Sequence, residues 1–148
     1  MNVNELMLGN YVEFENQLHQ LIGIAKDEIN IRRKSDSGRT YICYCVNIDA
    51  VKPIPLTEKW LLDFGFFNIG NEIVNEYEEN THIFCLGEDN KFKVKFQKEW
   101  YGDIKENSVS KIIFYQFDDF ICDLKYVHQL QNLHFSLTSN PLQLVESK

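Results

Sequence analysis

Tyr126-Val127-His128-Gln129-Leu130-Gln131-Asn132-Leu133-His134-Phe135-Ser136-Leu137-Thr138 is the most strongly patterned stretch of this chain. At about 100° per residue, Tyr126, Leu130, Leu133 and Leu137 fall in one narrow stripe. Val127 and His134 flank the stripe, and Lys125, Gln129, Asn132 and Ser136 form a polar face. The spacing predicts an amphipathic helix over Lys125–Thr138, with Asp123 near its start. On this wheel His134 borders the stripe with its ring partly buried, and His128 faces solvent. Phe135 lies nearly opposite the stripe. A stripe of this kind needs an apolar surface to cover.

The residues before it supply sheets. Glu72–Tyr77, Thr81–Leu86, Lys91–Phe96 and Lys111–Phe117 read as strands, with a last short one through Phe120–Cys122. Gly87–Asn90 has hairpin-turn composition, and Trp100–Asn107 reads as a loop. In Lys91–Phe96, Phe92, Val94 and Phe96 point one way and Lys91, Lys93 and Lys95 the other. That alternation predicts a sheet with one face on a core and one in water. The closing helix is the natural cover for it.

Further upstream, Thr57 reads as an N-cap, with Glu58 in the first turn where negative charge is favourable. Trp60, Leu61 and Phe64 are the apolar positions, and Gly65 stops this two-turn helix. Residues 1–55 read as short strands: Leu8–Phe14, Gln17–Ile24, a strand around Ile29 and Ile31, Thr40–Val46, and an extended Ala50–Pro55. Glu15-Asn16, Lys26-Asp27 and the loop Lys34–Arg39 separate them. Five short strands with tight turns predict a small SH3-like barrel. The fold class is therefore α+β: an SH3-like β unit over 1–55, then a linking helix, an antiparallel sheet and a covering helix over 56–148.

The 148 residues suit one compact domain, or two very small ones sharing a core. Hydrophobic residues make up 44%, with eleven Phe and seven Tyr, enough apolar area to offset chain entropy. The net charge is −7, of which residues 1–52 carry −1 and residues 53–148 carry −6. The whole-molecule field therefore repels nucleic acid and anionic membranes. No apolar run approaches the ~20 residues of a membrane span. The N-terminal stretch, with Glu5 and no basic region, does not read as a signal peptide. Cys43, Cys45, Cys85 and Cys122 lack a disulfide-framework spacing, which points to reduced thiols and a cytoplasmic location.

Pro53-Ile54-Pro55-Leu56-Thr57-Glu58-Lys59-Trp60-Leu61-Leu62-Asp63-Phe64-Gly65-Phe66, together with the closing segment quoted above and the opening Asn4-Glu5-Leu6-Met7-Leu8-Gly9-Asn10-Tyr11-Val12, resembles a family of small uncharacterised proteins from Bacteroidetes-type bacteria and their phages or mobile elements. The resemblance covers the whole chain in outline. It implies a bacterial or phage cytoplasmic protein with an accessory role. The family has no assigned activity, so no site residue follows from it.

No familiar chemistry stands out. Cys43-x-Cys45 puts two thiols on one side of a strand, but the paired spacings of a zinc site are missing, and the plainer reading is two small buried hydrophobes. None of the four Cys has a sequence-adjacent His partner for nucleophilic work. Glu76-Tyr77-Glu78-Glu79 and Asp118-Asp119 read as solvated turns rather than cation sites. Glycine-rich phosphate loops are absent. No metal or cofactor is expected.

Two binding readings remain. Arg32, Arg33, Lys34 and Arg39 bracket a loop, with Tyr41 near enough to stack on a base, and would suit nucleic acid despite the overall acidity. Lys91, Lys93 and Lys95 offer a second basic stripe. Trp100, Tyr101 and Phe135 are aromatics that the patterning does not bury, which favours a protein partner or self-association. The sequence thus points to a non-enzymatic accessory or protein-interaction protein, with a nucleic-acid-binding module using the Arg32–Arg39 loop as the alternative.

Overall fold

A computed structural model describes residues 3–72, 81–87, 91–98, 109–117 and 119–145. The chain forms two compact units, 1–55 with 126–143 and 56–125 with 144–148. The closing helix therefore belongs with the N-terminal strands. The expectation that it covers the second sheet, within a 56–148 unit, is corrected.

The first unit begins with a four-stranded antiparallel meander, ordered β1 (Tyr11–Phe14), β2 (Gln17–Ile24), β3 (Glu28–Lys34) and β4 (Tyr41–Asn47). Glu15 and Asn16 both take positive φ, 51° and 59°, and join Phe14 to Gln17 in a two-residue hairpin. That left-handed pair matches the twist of the flanking strands. The β2–β3 pairing shifts register between Leu21 and Gly23. A Cβ at Gly23 would sit 2.8 Å from the Asn30 amide nitrogen, so glycine lets the shifted strands close up. Leu6, Val12, Leu21, Ile29, Ile31 and Val51 form the core, with Phe14, Tyr44, Val46 and Ile48 packed against it.

After β4 a 3₁₀ turn at Ile48–Ala50 sends the chain back to β1, where Lys52 and Glu13 exchange backbone hydrogen bonds of 3.0 and 2.8 Å. This return is a single bridge rather than a fifth strand. The meander stays open, and no closed barrel forms among the described residues. The expected first strand is shorter too: Gly9, at φ 91°, interrupts the run from Leu8.

The last helix of this unit, α2 (Val127–Thr138), starts where the Gln129 side chain accepts the Tyr126 N–H at 3.2 Å. It ends at Ser139, whose left-handed backbone donates to the Phe135 carbonyl. Its buried residues are Val127, His128, Leu130, Gln131 and His134. Leu133 and Leu137 are only half-buried. The buried face is thus turned from the expected leucine stripe toward Val127–Leu130–Gln131–His134, at the i, i+3, i+4, i+7 spacing. His128, expected in solvent, is 1% exposed. Asp123 lies in a strand and not at the helix start.

The second unit opens with α1 (Glu58–Asp63). Thr57 stands at its N-cap position without a side-chain cap bond. Gly65, at φ 86°, donates to the Leu62 carbonyl and Phe66 to the Leu61 carbonyl, both at 2.9 Å. That paired closure is how a glycine satisfies a helix's last carbonyls. Glu58 meets the His82 Nδ1 at 2.6 Å, tying the first turn of α1 to the sheet. The sheet runs β5 (Phe67–Glu72), β6 (Thr81–Leu86), β7 (Phe92–Lys98), β8 (Val109–Gln116) and β9 (Asp119–Leu124), antiparallel in that order.

Phe92, Val94 and Phe96 are buried as their alternation predicts. The lysine face is not simply wet. Lys95 stands between Ile83 and Ile113 across the ladder, and both isoleucines are buried. Long lysine stems lie over such neighbours while their charged ends reach water.

Leu130 has no exposure, and its replacement by Ala should cost about 2–5 kcal/mol. Phe135 is 39% exposed, and F135A should leave stability nearly unchanged. Urea denaturation of the two variants checks this; equal losses would place Phe135 in the core.

Candidate functional site

The segment ahead of β1 folds into a tight turn. The Asn10 side-chain oxygen accepts the Met7 N–H at 2.8 Å, and the Asn10 N–H donates to the Met7 carbonyl at 3.1 Å. An asparagine side chain closing on nearby backbone is a common way to fix such a turn. Gly9 then donates to the Leu21 carbonyl at 2.8 Å. The turn buries Leu6 and leaves Leu8 65% exposed.

Helix α2 holds this turn through two amides. Gln131, buried, accepts the Tyr11 N–H at 2.9 Å and donates to the carbonyls of Leu142 at 3.1 Å and Gly9 at 3.3 Å. Asn132 accepts from the Asn10 amide at 2.8 Å and donates to the Glu5 carbonyl at 2.7 Å. Turn, helix and C-terminal tail are thereby pinned together. Between them lies a cavity of about 360 Å³, with Met7, Leu8, Gln131, Phe135, Pro141 and Leu142 in its lining. Its polar groups are largely committed to one another. What it presents is apolar side chain, suited to binding an apolar segment rather than to bond-making chemistry.

Two histidines of α2 sit beside this frame. His134 Nδ1 donates to the Asn140 carbonyl at 3.0 Å, and Thr138 Oγ1 donates to the His134 carbonyl at 2.7 Å. Burial pushes the His134 imidazolium pKa down, partly offset by the bond to Asn140. The His128 ring stacks on Tyr126 with centroids 5.6 Å apart. Burial lowers its pKa as well, partly offset by the Glu5 carboxylate 3.8 Å away.

Of the sequence candidates for a protein contact, Phe135 lines the cavity. Trp100 and Tyr101 lie outside the described residues, as do Glu76–Glu79 and Asp118. Leu8 was not singled out by the sequence, because an apolar residue before a strand reads as part of the strand. The signal for it was Gly9-Asn10, a turn pair that ends the run.

The nucleic-acid candidates share one end of the β3–β4 hairpin, where Lys34 pairs with Tyr41, and the two β3 arginines are already engaged. The Arg32 guanidinium binds the Gln20 side chain at 2.9 and 3.3 Å and stacks over Tyr41 at 4.7 Å. Arg33, near the end of β3, bonds Asp36 of the following loop at 3.2 Å. Lys34 and Arg39 are exposed, and Tyr41 is 55% exposed. The second basic stripe is likewise engaged: Lys91 lies over Phe92 and Phe117, and Lys95 over Tyr115.

Cys43 and Cys45 are exposed, which corrects the reading of them as buried hydrophobes. Cys45 donates to the Glu28 carboxylate at 3.5 Å, and that bond, with some desolvation, raises its pKa. Among the described residues no three His, Cys, Asp or Glu side chains converge as a metal site, and no helix is long and apolar enough to cross a membrane. Comparison with protein-family models, with curated proteins and with solved structures returns no match.

Two measurements test the frame. Gln131→Ala removes the side-chain partner of the Tyr11 N–H and of the Leu142 carbonyl, while the Gly9 carbonyl keeps the Gln20 amide at 3.4 Å, and should cost roughly 1–3 kcal/mol. In contrast, Gln129→Ala, which removes the capping bond to the Tyr126 N–H, should cost a fraction of that in the same denaturation experiment. The histidines set a pH dependence. Unfolded chains take up protons near the ordinary histidine value of 6.5, while folded His128 and His134 resist until lower pH. Their contribution is complete above 6.5 and is lost as pH falls below it through the lowered folded values. The melting temperature should drop between pH 6.5 and 5, with a shallower slope in His134→Gln. A flat profile would contradict the assignment.

Proposed function

We propose that this chain is a non-enzymatic protein-interaction module, accessory to other proteins of a bacterium or its phage and working in the cytoplasm, that captures an apolar segment of its partner at the Leu8–Phe135 cavity. The observation that supports this reading most is the pairing of two exposed apolar side chains, Leu8 and Phe135, in one lining held by buried amides. Binding energy concentrates where anchors enter preformed apolar recesses, and pre-organisation lowers the ordering cost. The bacterial or phage setting rests on the resemblance of the quoted segments.

The N-terminal unit is read as SH3-like, from its four-strand meander, 3₁₀ turn and return to β1 at Lys52. The recess proposed here lies beside the turn before β1. Nucleic acid is the less supported ligand, since Arg32 and Arg33 already hold Gln20, Tyr41 and Asp36.

The test is affinity capture from bacterial lysate with quantitative mass spectrometry, using the parent protein, Leu8→Glu and Phe135→Ala side by side. A partner should be retained by the parent and reduced by at least about tenfold in both variants, the loss expected when an anchor worth more than 1.4 kcal/mol is removed. Partners retained equally by all three would remove the cavity from the interaction.

A further inference from the structure

Strand β4 lies at the border of the first sheet and, among the described residues, pairs with β3 alone. Hydrogen bonds just beyond the two ends of this ladder fix its alternation. Ser35 donates to the Thr40 carbonyl at 2.8 Å and Ile48 to the Asp27 carbonyl at 3.3 Å. In an antiparallel pair, bonded and non-bonded positions alternate. Ile42, Tyr44 and Val46 therefore turn their backbone groups to β3. Tyr41, Cys43, Cys45 and Asn47 turn theirs to the open border.

Proteins blunt such borders with charges, prolines, bulges or short strands. Tyr41-Ile42-Cys43-Tyr44-Cys45-Val46-Asn47 has none of these: no charge, no proline, and seven consecutive pairs in register with β3. The other borders are better guarded. β1 receives Lys52, β5 carries Gly70 and a register shift, and β9 carries Asp119 and Asp123 beside another shift.

We infer that β4 is a self-pairing edge, joining the β4 of a second copy of this chain in an antiparallel ladder centred on Tyr44. The sequence is self-complementary about that residue. Full overlap sets Ile42 against Val46 of the second copy, Tyr44 against its own counterpart, and Tyr41 against Asn47. Cys43 then faces Cys45 of the second copy, twice, on the exposed side of the joined sheet. Every outward N–H and C=O of one strand meets its complement. Like charges, which a net −7 chain would otherwise bring together, are absent from the seam. A border strand is small against the ~1,200–2,000 Å² of a stable interface, so the pairing is weak and concentration-dependent.

The facing thiols make the register testable. In a Cys122→Ser background, diamide should convert two facing thiols to one disulfide, taking up their two hydrogens as it is reduced. Opposed residues in such a ladder have Cα atoms about 5.5 Å apart, within disulfide reach. Two Cys45 residues, or two Cys43 residues, sit two positions out of step and out of reach. Cys43→Ser alone and Cys45→Ser alone should thus each lose the linked dimer, by about tenfold or more, whereas their equimolar mixture should recover it. Light scattering at rising concentration should approach twice 17.5 kDa. Cys45→Pro removes an outward N–H and spares the β3 ladder, so it should return the mass to monomer with an unchanged circular dichroism spectrum. A monomer at every concentration, single variants that cross-link as well as their parent, or a dimer that survives Cys45→Pro while folded would each overturn the inference.

Discussion

The Gln131 carboxamide accepts one backbone N–H and donates to two carbonyls from inside a core. Two of those groups, at Gly9 and Tyr11, lie at the entry to β1, and the third, at Leu142, lies in the tail more than a hundred residues away in sequence. Without the amide, the Tyr11 N–H and the Leu142 carbonyl would lose their side-chain partner, at a cost comparable to a lost hydrogen bond apiece, while the Gly9 carbonyl would keep the Gln20 amide. A leucine at 131 would fill the volume and satisfy none of them. The rotation of α2 away from its leucine stripe follows from this. The helix presents the face that carries the amide, and Leu133 and Leu137 accept half-exposure as the consequence.

The same constraint shapes the cavity. Because Gln131 and Asn132 hold the turn and the tail from one side of α2, Phe135, one turn further along from both, is left beside the recess rather than beneath it. Leu8 stays outside for a related reason, since Asn10 closes the turn on Met7 and directs the intervening side chain outward. The apolar lining is thus a by-product of polar closure. A cavity built this way keeps its form with no ligand in place, which suits recognition better than a surface that must be ordered on contact.

Most of the strands were legible in the sequence because their signals are local. Glu15-Asn16 marks a hairpin, Gly65 a helix stop, and Phe92-Lys93-Val94-Lys95-Phe96 a half-buried strand. Which sheet the closing helix would cover was not legible. Amphipathicity says that a face is buried, not against what, and the decisive contacts of Gln131 span more than a hundred residues. His128 misled for a similar reason. A lone polar residue on a helical wheel reads as solvent-facing, yet His128 is buried, its ring stacked on Tyr126 and 3.8 Å from the Glu5 carboxylate. Closure of the first sheet was not legible either: strand count and turn spacing do not distinguish a fifth strand from the single bridge at Lys52.

Cys43 and Cys45 show where alternation alone is ambiguous. In Tyr41–Asn47 every residue is acceptable on either face, so period-two patterning cannot choose the inner set. The choice is made by the neighbour: Ile29 and Ile31 are fully buried, and their partners Val46 and Tyr44 must share that side. The cysteines are then forced outward by register, not by any preference of their own. A strand that is apolar on both faces, regular along its length and open along one border is expensive to leave in water. Such a border is of the kind that a second strand can extend.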